Sequence, residues 1–124
     1  MGVRVTHVIP PSIPDLLPPS HPPKTPCVLF VGRLVEAKGV WDAVNAWRKA
    51  KLDLPLVFAG TGTARKTLEA EGFHVTGWID RAELASWYEA AQALVFPPRW
   101  QEPFGIVGIE GLAAGIPVVT WASG

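Results

Sequence analysis

CVLFVGRLVEAKGVWDAVNAWRKAKLDLPLVFAG, residues 27–60, contains two continuous apolar runs separated by a segment with helical spacing. The apolar runs are residues 27–31 and 54–59, and a glycine follows each of them. Between the runs, residues 39–52 carry apolar side chains at helical intervals, with Lys and Arg near the end, which are typical of the last turn of a helix. The segment therefore predicts a strand, a helix and a second strand.

The same alternation continues towards the C-terminus. Asp80, with Glu83 three residues later, has the pattern of a helix N-cap. Further helices are predicted at 63–71, 81–91 and 105–114, and further strands at 73–77, 93–96 and 116–120. Five apolar runs that alternate with helices indicate parallel strands buried on both faces, which is a doubly wound, Rossmann-like α/β sheet. Ligands of such sheets bind beyond the carboxyl ends of the strands.

Residues 1–26 differ in composition from the rest of the chain. Residues 3–9 alternate and predict one strand, and eight of the thirteen prolines follow between Pro10 and Pro26. Proline at this density excludes helix and favours extended backbone. We interpret residues 1–26 as a linker or interdomain segment and residues 27–124 as the domain. The sequence stops after a strand where the pattern requires another loop and helix, so we expect the domain to be incomplete at its C-terminus.

The charge balance excludes several classes of protein. Eleven basic side chains match eleven acidic ones, so the sequence lacks the broad positive surface of a nucleic-acid-binding protein or a membrane-binding polybasic patch. The sequence shows neither a signal-peptide pattern nor an apolar stretch long enough to cross a membrane. The single cysteine, Cys27, begins an apolar run. We expect a soluble, cytoplasmic protein in which Cys27 is a buried, inert thiol.

Glu110 is the polar exception in the otherwise apolar helix predicted at 105–114. A helix of this kind is buried, and an ionised carboxylate in it requires a partner. Helical side chains lean towards the N-terminus, so Glu110 is expected to point to the loop at the strand ends, where Glu102 also lies. The two carboxylates are candidates for one cleft. Two alternatives remain, in which Glu110 complements the helix dipole and Glu102 is a solvated loop residue.

The sequence also suggests binding of an anion. Gly105, at the start of the predicted helix, lets a ligand approach backbone N–H groups that have no intrahelical partner. Arg33 and Lys38 lie in the loop before the first helix, where the macrodipole disfavours cations unless a phosphate is present. In the alternative interpretation, Gly105 serves only the turn and both cations are solvated, with Glu36 as a partial neighbour.

Other candidate residues carry less information. Gly60, Thr61 and Gly62 resemble the opening of a dinucleotide fingerprint, but the third glycine is absent, and we interpret these residues as a tight turn. The three histidines have no second ligand at metal spacing, so no metal site is predicted. Trp78 and Trp100, in loops at strand ends, are candidates for lining a pocket.

Two segments together resemble a known family. "VGRLVEAKG" at 31–39 and "PPRWQEPFGIVGIEGLAAGIPVV" at 97–119 are similar to the C-terminal domain of the retaining glycosyltransferases of GT-B fold, the family-4-like, group 1 enzymes. The similarity covers residues 25–122 in the right order. Its most specific part is the pair Glu102 and Glu110 with seven residues between them, joined to a Phe-Gly and to a "GIPVV" strand.

The resemblance implies a role for each matching residue. Arg33 and Lys38 would hold the donor's diphosphate, Glu102 would contact sugar hydroxyls, and Glu110 would hydrogen-bond the nucleotide ribose. The base would pack near residues 77–79. The further donor-binding residues on this resemblance are Gly32, Trp78, Phe104, Gly105 and Ile106. The last three would act through their backbone amides.

The implied reaction is transfer of a sugar, of hexosyltransferase type (EC 2.4), from a nucleoside-diphosphate donor with retention of configuration. Arg33 and Lys38 would stabilise the leaving diphosphate, and Glu102 completes the implied catalytic set, so neither a metal nor another cofactor is expected. The family's N-terminal acceptor domain is missing from this sequence. The isolated chain is therefore expected to be inactive and to expose an apolar face through which it self-associates.

Two competing functions stay open on the sequence. The first is a non-catalytic half that binds a nucleotide sugar and needs a partner domain. The second is a nicotinamide-dependent oxidoreductase, against which the absent third glycine and the glutamate pair argue. The base, the sugar, the acceptor and the oligomeric state are not determined by the sequence.

Overall fold

The computed structural model of the protein describes residues 3–7, 24–95, 97, 110–111 and 113–121. The strands are β1 Val3–His7, β2 Cys27–Val31, β3 Leu56–Ala59, β4 His74–Val75, β5 Ala91–Val95 and β6 Val118–Trp121, and the helices are α1 Val40–Ala50, α2 Arg65–Ala70 and α3 Arg81–Ala90. A short 3-10 helix at Glu36–Lys38 precedes α1, and residues 110, 111 and 113 are helical. Every predicted strand and helix thus has its counterpart among the described residues.

The six strands form one sheet in the order β1-β6-β5-β2-β3-β4. Strands β2 to β6 are parallel, as the sequence predicts, and the chain order reverses between β2 and β5. A reversal of this kind is the point at which open α/β sheets bind their ligands.

One strand outside the five predicted parallel strands joins the sheet. Strand β1 pairs with β6 in the antiparallel direction, with Val3 opposite Trp121 and Val5 opposite Val119. The predicted strand at 3–9 is therefore confirmed over Val3–His7, and it belongs to the sheet edge. Without β1, the outer edge of β6 would present unpaired backbone groups. The antiparallel pairing with β1 satisfies them.

The core lies on both faces of the sheet, which is why the central strands are apolar without alternation. Val28 and Phe30 of β2 point into the cluster formed with α1 and α2, while Cys27 and Leu29 point into the cluster formed with α3. All four of these side chains are at most 3% exposed. This double burial confirms the doubly wound α/β class.

Local signals set two of the helix boundaries. The Asp80 carboxylate accepts a hydrogen bond of 2.8 Å from the Glu83 amide and caps α3, as the sequence predicts. Helix α1 ends at Ala50, two residues before the predicted end, because Lys51 adopts a left-handed conformation with φ of 50°. No helix within the described part of the chain is long and apolar enough to cross a membrane.

Candidate functional site

A pocket of about 280 Å³ lies beyond the carboxyl ends of β2 and β3. Three of its residues, Gly32, Arg33 and Trp78, were predicted from the sequence. The pocket is lined by Val31, Gly32, Arg33, Ala59, Gly60, Thr61, Trp78, Ile79 and Leu84. Its position agrees with the edge of the sheet at which α/β domains bind ligands.

Backbone hydrogen bonds join the two loops that form the rim of this pocket. The Gly32 amide donates to the Ala59 carbonyl at 3.1 Å, and the Leu34 amide donates to the Thr61 carbonyl at 2.9 Å. Both bonds extend the pairing of β2 with β3 past the ends of the strands. The residues predicted to form only a tight turn, Gly60 and Thr61, therefore belong to the pocket wall.

The pocket combines an apolar interior with a single charge. Val31, Ile79 and Leu84 contribute aliphatic surface, and Trp78 stands at the rim with 81% of its surface exposed. Arg33, which is also exposed, is the only ionisable side chain among the described residues that line the pocket. An apolar slot with an aromatic ring and a guanidinium at its edge suits a planar ring that carries an anionic group.

Lys38 belongs to the same loop as Arg33 but is not among the residues that line the pocket. It ends the short helix Glu36–Lys38, and the next residue, Gly39, has a φ of 78° and packs against the carbonyl of Pro97. A β-carbon on Gly39 would overlap that carbonyl oxygen. Lys38 is thus held near the end of β5, and it does not line the pocket that contains Arg33.

Glu110 has a partner inside the protein. The Tyr88 hydroxyl, on α3, donates a hydrogen bond of 2.9 Å to Glu110 Oε2. Tyr88 is 4% exposed, and its burial, together with the neighbouring Glu110 carboxylate, raises its pKa well above the usual range. The expectation that the Glu110 carboxylate requires a partner is therefore met by a phenol rather than by a cation.

The helix that contains Glu110 packs closely on the sheet. A β-carbon on Gly111 would lie 2.5 Å from Leu94 Cδ2 and 3.2 Å from Val118 Cγ2, so only glycine fits between β5 and β6 at this position without movement of its neighbours. The Ala114 amide donates to the Glu110 carbonyl at 3.0 Å, which closes the helical turn. These contacts fix the backbone from which the Glu110 side chain projects.

Five candidate site residues lie outside the described residues, and their roles stay predictions: Trp100, Glu102, Phe104, Gly105 and Ile106. Among the residues that the structure does describe, no three His, Cys, Asp or Glu side chains are grouped as metal ligands. Sequence reasoning did not select Thr61 or Leu84 as pocket residues. The place of Thr61 just after a buried strand is the signal that indicates its position.

Comparison with known proteins shows which family this chain is similar to. Residues 17–124 match the protein family described as "Glycosyl transferases group 1". A glycogen synthase of Mycobacterium tuberculosis (strain CDC 1551 / Oshkosh) is 38% identical over 104 residues, which are 75% of this chain and 25% of that protein. A phosphatidyl-myo-inositol mannosyltransferase of Propionibacterium freudenreichii subsp. shermanii is 34% identical over 98 residues, 76% of this chain and 25% of that protein.

The solved structures give the same result. The fold is similar to that of the sucrose-phosphate synthase from Thermosynechococcus elongatus, with a TM-score of 0.68 and 33% sequence identity. The match covers 84% of this chain and 29% of the synthase. The chain thus spans about a quarter of the length of the proteins it matches.

Proposed function

The chain belongs to the group 1 glycosyl transferases, and on this basis we propose that it binds a nucleoside-diphosphate sugar for retaining transfer of the sugar to an acceptor in the cytoplasm. The observation that carries the proposal is the pocket beyond β2 and β3, where the Arg33 guanidinium and the exposed Trp78 ring flank an apolar interior. A nucleoside diphosphate combines a planar base with a polyanion, which are the two features that this pocket suits.

Each predicted residue has a role in the proposal. Arg33 and Lys38 stabilise the diphosphate as negative charge grows on it during cleavage of the glycosidic bond, and this stabilisation is stronger in the transition state than in the ground state. Glu102 binds the sugar hydroxyls and Glu110 the ribose. The backbone amides of Phe104, Gly105 and Ile106 and the loop at Gly32 complete the donor site. No metal is required by this arrangement.

The acceptor is proposed to bind elsewhere. The pocket beyond β2 and β3 is assigned to the nucleotide sugar in this proposal, and no acceptor is assigned to it. In the resemblance stated above, an N-terminal domain supplies that part of the enzyme. The chain alone is therefore proposed to bind the donor without transferring the sugar.

The direct test is calorimetric titration of the purified chain with UDP, GDP, ADP and NADH. Saturable binding of one nucleoside diphosphate, weakened when Arg33 is replaced, supports the proposal and identifies the base. Binding of NADH in preference to all three diphosphates would favour a nicotinamide-dependent oxidoreductase. A chain that is folded by circular dichroism and binds none of the four compounds would contradict the donor-binding role.

A further inference from the structure

Tyr88 and Glu110 connect two helices that the sequence separates by 22 residues. The Tyr88 ring lies in the buried cluster between α3 and the sheet, with Leu29, Leu94 and Val118. Its hydroxyl emerges from that cluster at Glu110 Oε2, 2.9 Å away. A buried aromatic ring loses little side-chain freedom when it bonds, so the position of the hydroxyl is fixed by packing before any ligand arrives.

Tyr88 lies one helical turn from Leu84, a residue that lines the pocket beyond β2 and β3. Leu84, four residues earlier on α3, lines that pocket. Side chains four residues apart lie on the same face of a helix, about 6 Å apart along its axis. The face of α3 that closes the pocket with Leu84 therefore continues directly into the contact between Tyr88 and Glu110.

The hydrogen bond occupies only one of the two carboxylate oxygens. Within the described part of the chain, Glu110 Oε1 receives no hydrogen bond. A carboxylate oxygen accepts hydrogen bonds from hydroxyl groups, so Oε1 can accept one from a ligand hydroxyl while Tyr88 holds Oε2. Because burial and the neighbouring carboxylate raise the pKa of Tyr88, its hydroxyl keeps its proton and stays a donor at neutral pH.

We propose that Tyr88 is a positioning residue, which holds the Glu110 carboxylate by Oε2 and directs Oε1 to the vicinal hydroxyls of the donor's ribose. This inference rests on the proposed function, because it assigns a residue to the same donor site. A positioning role of Tyr88 differs from a purely structural role in one measurable effect. Loss of the Tyr88 hydroxyl weakens recognition of the ribose hydroxyls and leaves recognition of the base and the diphosphate unchanged.

The test compares ligands with and without those hydroxyls. UDP, GDP and ADP, and their 2′,3′-dideoxy forms, are titrated into the wild-type chain, Tyr88→Phe, Glu110→Ala and the double variant. One hydrogen bond corresponds to roughly a threefold to tenfold change in affinity. Tyr88→Phe is expected to lower affinity for the ribonucleotide by this factor and to leave affinity for the dideoxy form unchanged. In the Glu110→Ala background, Tyr88→Phe is expected to have no further effect.

Trp87→Phe is the matched control. Trp87 is the neighbour of Tyr88 on α3, is 7% exposed, and its indole N–H has no acceptor among the described residues. The substitution therefore reduces a buried aromatic ring on the same helix without removing a hydrogen bond. It is expected to lower the urea midpoint and to preserve the ratio of ribonucleotide to dideoxynucleotide affinity.

A second measurement avoids substitution altogether. Tyr88 is the only tyrosine of the chain, so biosynthetic 3-fluorotyrosine places one fluorine label beside the hydroxyl. We expect its ¹⁹F resonance to shift on addition of the ribonucleotide and to stay in place with the dideoxy form. This measurement decides the question even if Tyr88→Phe does not fold.

The outcomes separate the inference from the function on which it rests. If the wild-type chain binds a diphosphate in an Arg33-dependent way but Tyr88→Phe weakens both ligand forms equally, or neither, Tyr88 has no positioning role while the proposed function stands. An unmoved ¹⁹F resonance under saturating ribonucleotide leads to the same conclusion. If the wild-type chain binds no nucleotide, the proposed function and the inference both fail.

Discussion

The backbone of Gly60 packs against the carbonyl oxygen of Gly32, so closely that a β-carbon on Gly60 would overlap that oxygen. Gly60 also has a φ of 153°, a backbone conformation that residues other than glycine rarely adopt. The contact joins the loop after β3 to the loop after β2 at the rim of the pocket. The position of Arg33, one residue beyond Gly32, therefore depends on a glycine in the neighbouring loop.

Gly60→Ala is expected to destabilise the protein and to weaken nucleotide binding together. The added methyl group forces apart two backbone segments, and overpacking of this kind costs about 1–3 kcal/mol in the free energy of unfolding. Urea denaturation measures that loss. Gly72→Ala is the control, because Gly72 has a φ of 93° but no atom lies within 4 Å of an added β-carbon. Equal losses in the two variants would mean that backbone conformation alone, and not the contact with Gly32, is responsible.

The stability of the protein is expected to fall between pH 9 and pH 11 because of Cys27. Burial raises the pKa of this thiol from 9.0 to about 11. Over this interval the unfolded chain releases the proton and the folded chain keeps it, so unfolding becomes more favourable as the pH rises. A shift of this size corresponds to about 2–3 kcal/mol.

The measurement is urea unfolding of the wild-type chain and Cys27→Ala at pH 8 to 11. The stability difference between the two proteins is expected to change by that amount across the interval, with the wild-type chain losing more. Tyr88 is present in both proteins, so its own titration cancels in the difference. Parallel pH profiles would show that Cys27 is not buried in the way the structure indicates.

The sheet could be predicted because its signals are local. The continuous apolar runs at β2 and β3 can be satisfied only by burial on both faces, and the Asp80 cap requires no more than Glu83 three residues later. The pairing of β1 with β6 could not be predicted in the same way. Val3 and Trp121 lie at opposite ends of the sequence, and no local pattern specifies which edge a short strand joins.

The candidate site likewise contains residues that could be predicted from the sequence and one contact that could not. Arg33 and Trp78 could be selected because they lie in loops after predicted strands whose carboxyl ends converge in a parallel sheet, and Gly32 was selected through the family resemblance. The bond from Tyr88 to Glu110 could not, because it depends on how two helices pack against one face of the sheet. The sequence predicted that Glu110 requires a partner, but the identity of that partner is a property of the packing.

Arg33→Ala is expected to weaken binding of the nucleoside diphosphate roughly tenfold to a hundredfold, since a charge-assisted hydrogen bond contributes about 1.5–3 kcal/mol. The side chain is exposed, so the free energy of unfolding is expected to stay within about 0.5 kcal/mol of the wild-type value. Calorimetric titration and urea denaturation measure the two quantities on the same samples.

Arg48→Ala is the matched control for charge. Arg48 lies on α1, is paired with Glu71 at 3.3 Å, and does not line the pocket. It carries the same charge, so its removal changes the overall electrostatic attraction of the chain for anions equally. If both variants lose the same affinity, Arg33 acts through net charge alone and makes no specific contact with the diphosphate.

Trp78→Ala is expected to separate recognition of the base from recognition of the diphosphate. An indole ring that is 81% exposed contributes little to the core, so the free energy of unfolding is expected to change by less than about 0.5 kcal/mol. If the base stacks on this ring, loss of the ring costs about 1–3 kcal/mol of binding free energy. Inorganic pyrophosphate, which has no base, is expected to bind Trp78→Ala and the wild-type chain equally well.

Leu52→Ala is the control for loss of exposed apolar surface, because Leu52 is 49% exposed and lies after α1, away from the pocket. Its affinity for both ligands is expected to match that of the wild-type chain. Arg33→Ala is expected to show the complementary pattern, in which pyrophosphate and nucleoside diphosphate are weakened alike. If Trp78→Ala instead weakens pyrophosphate as much as the nucleotide, the ring supports the loop that positions Arg33 and does not bind the base.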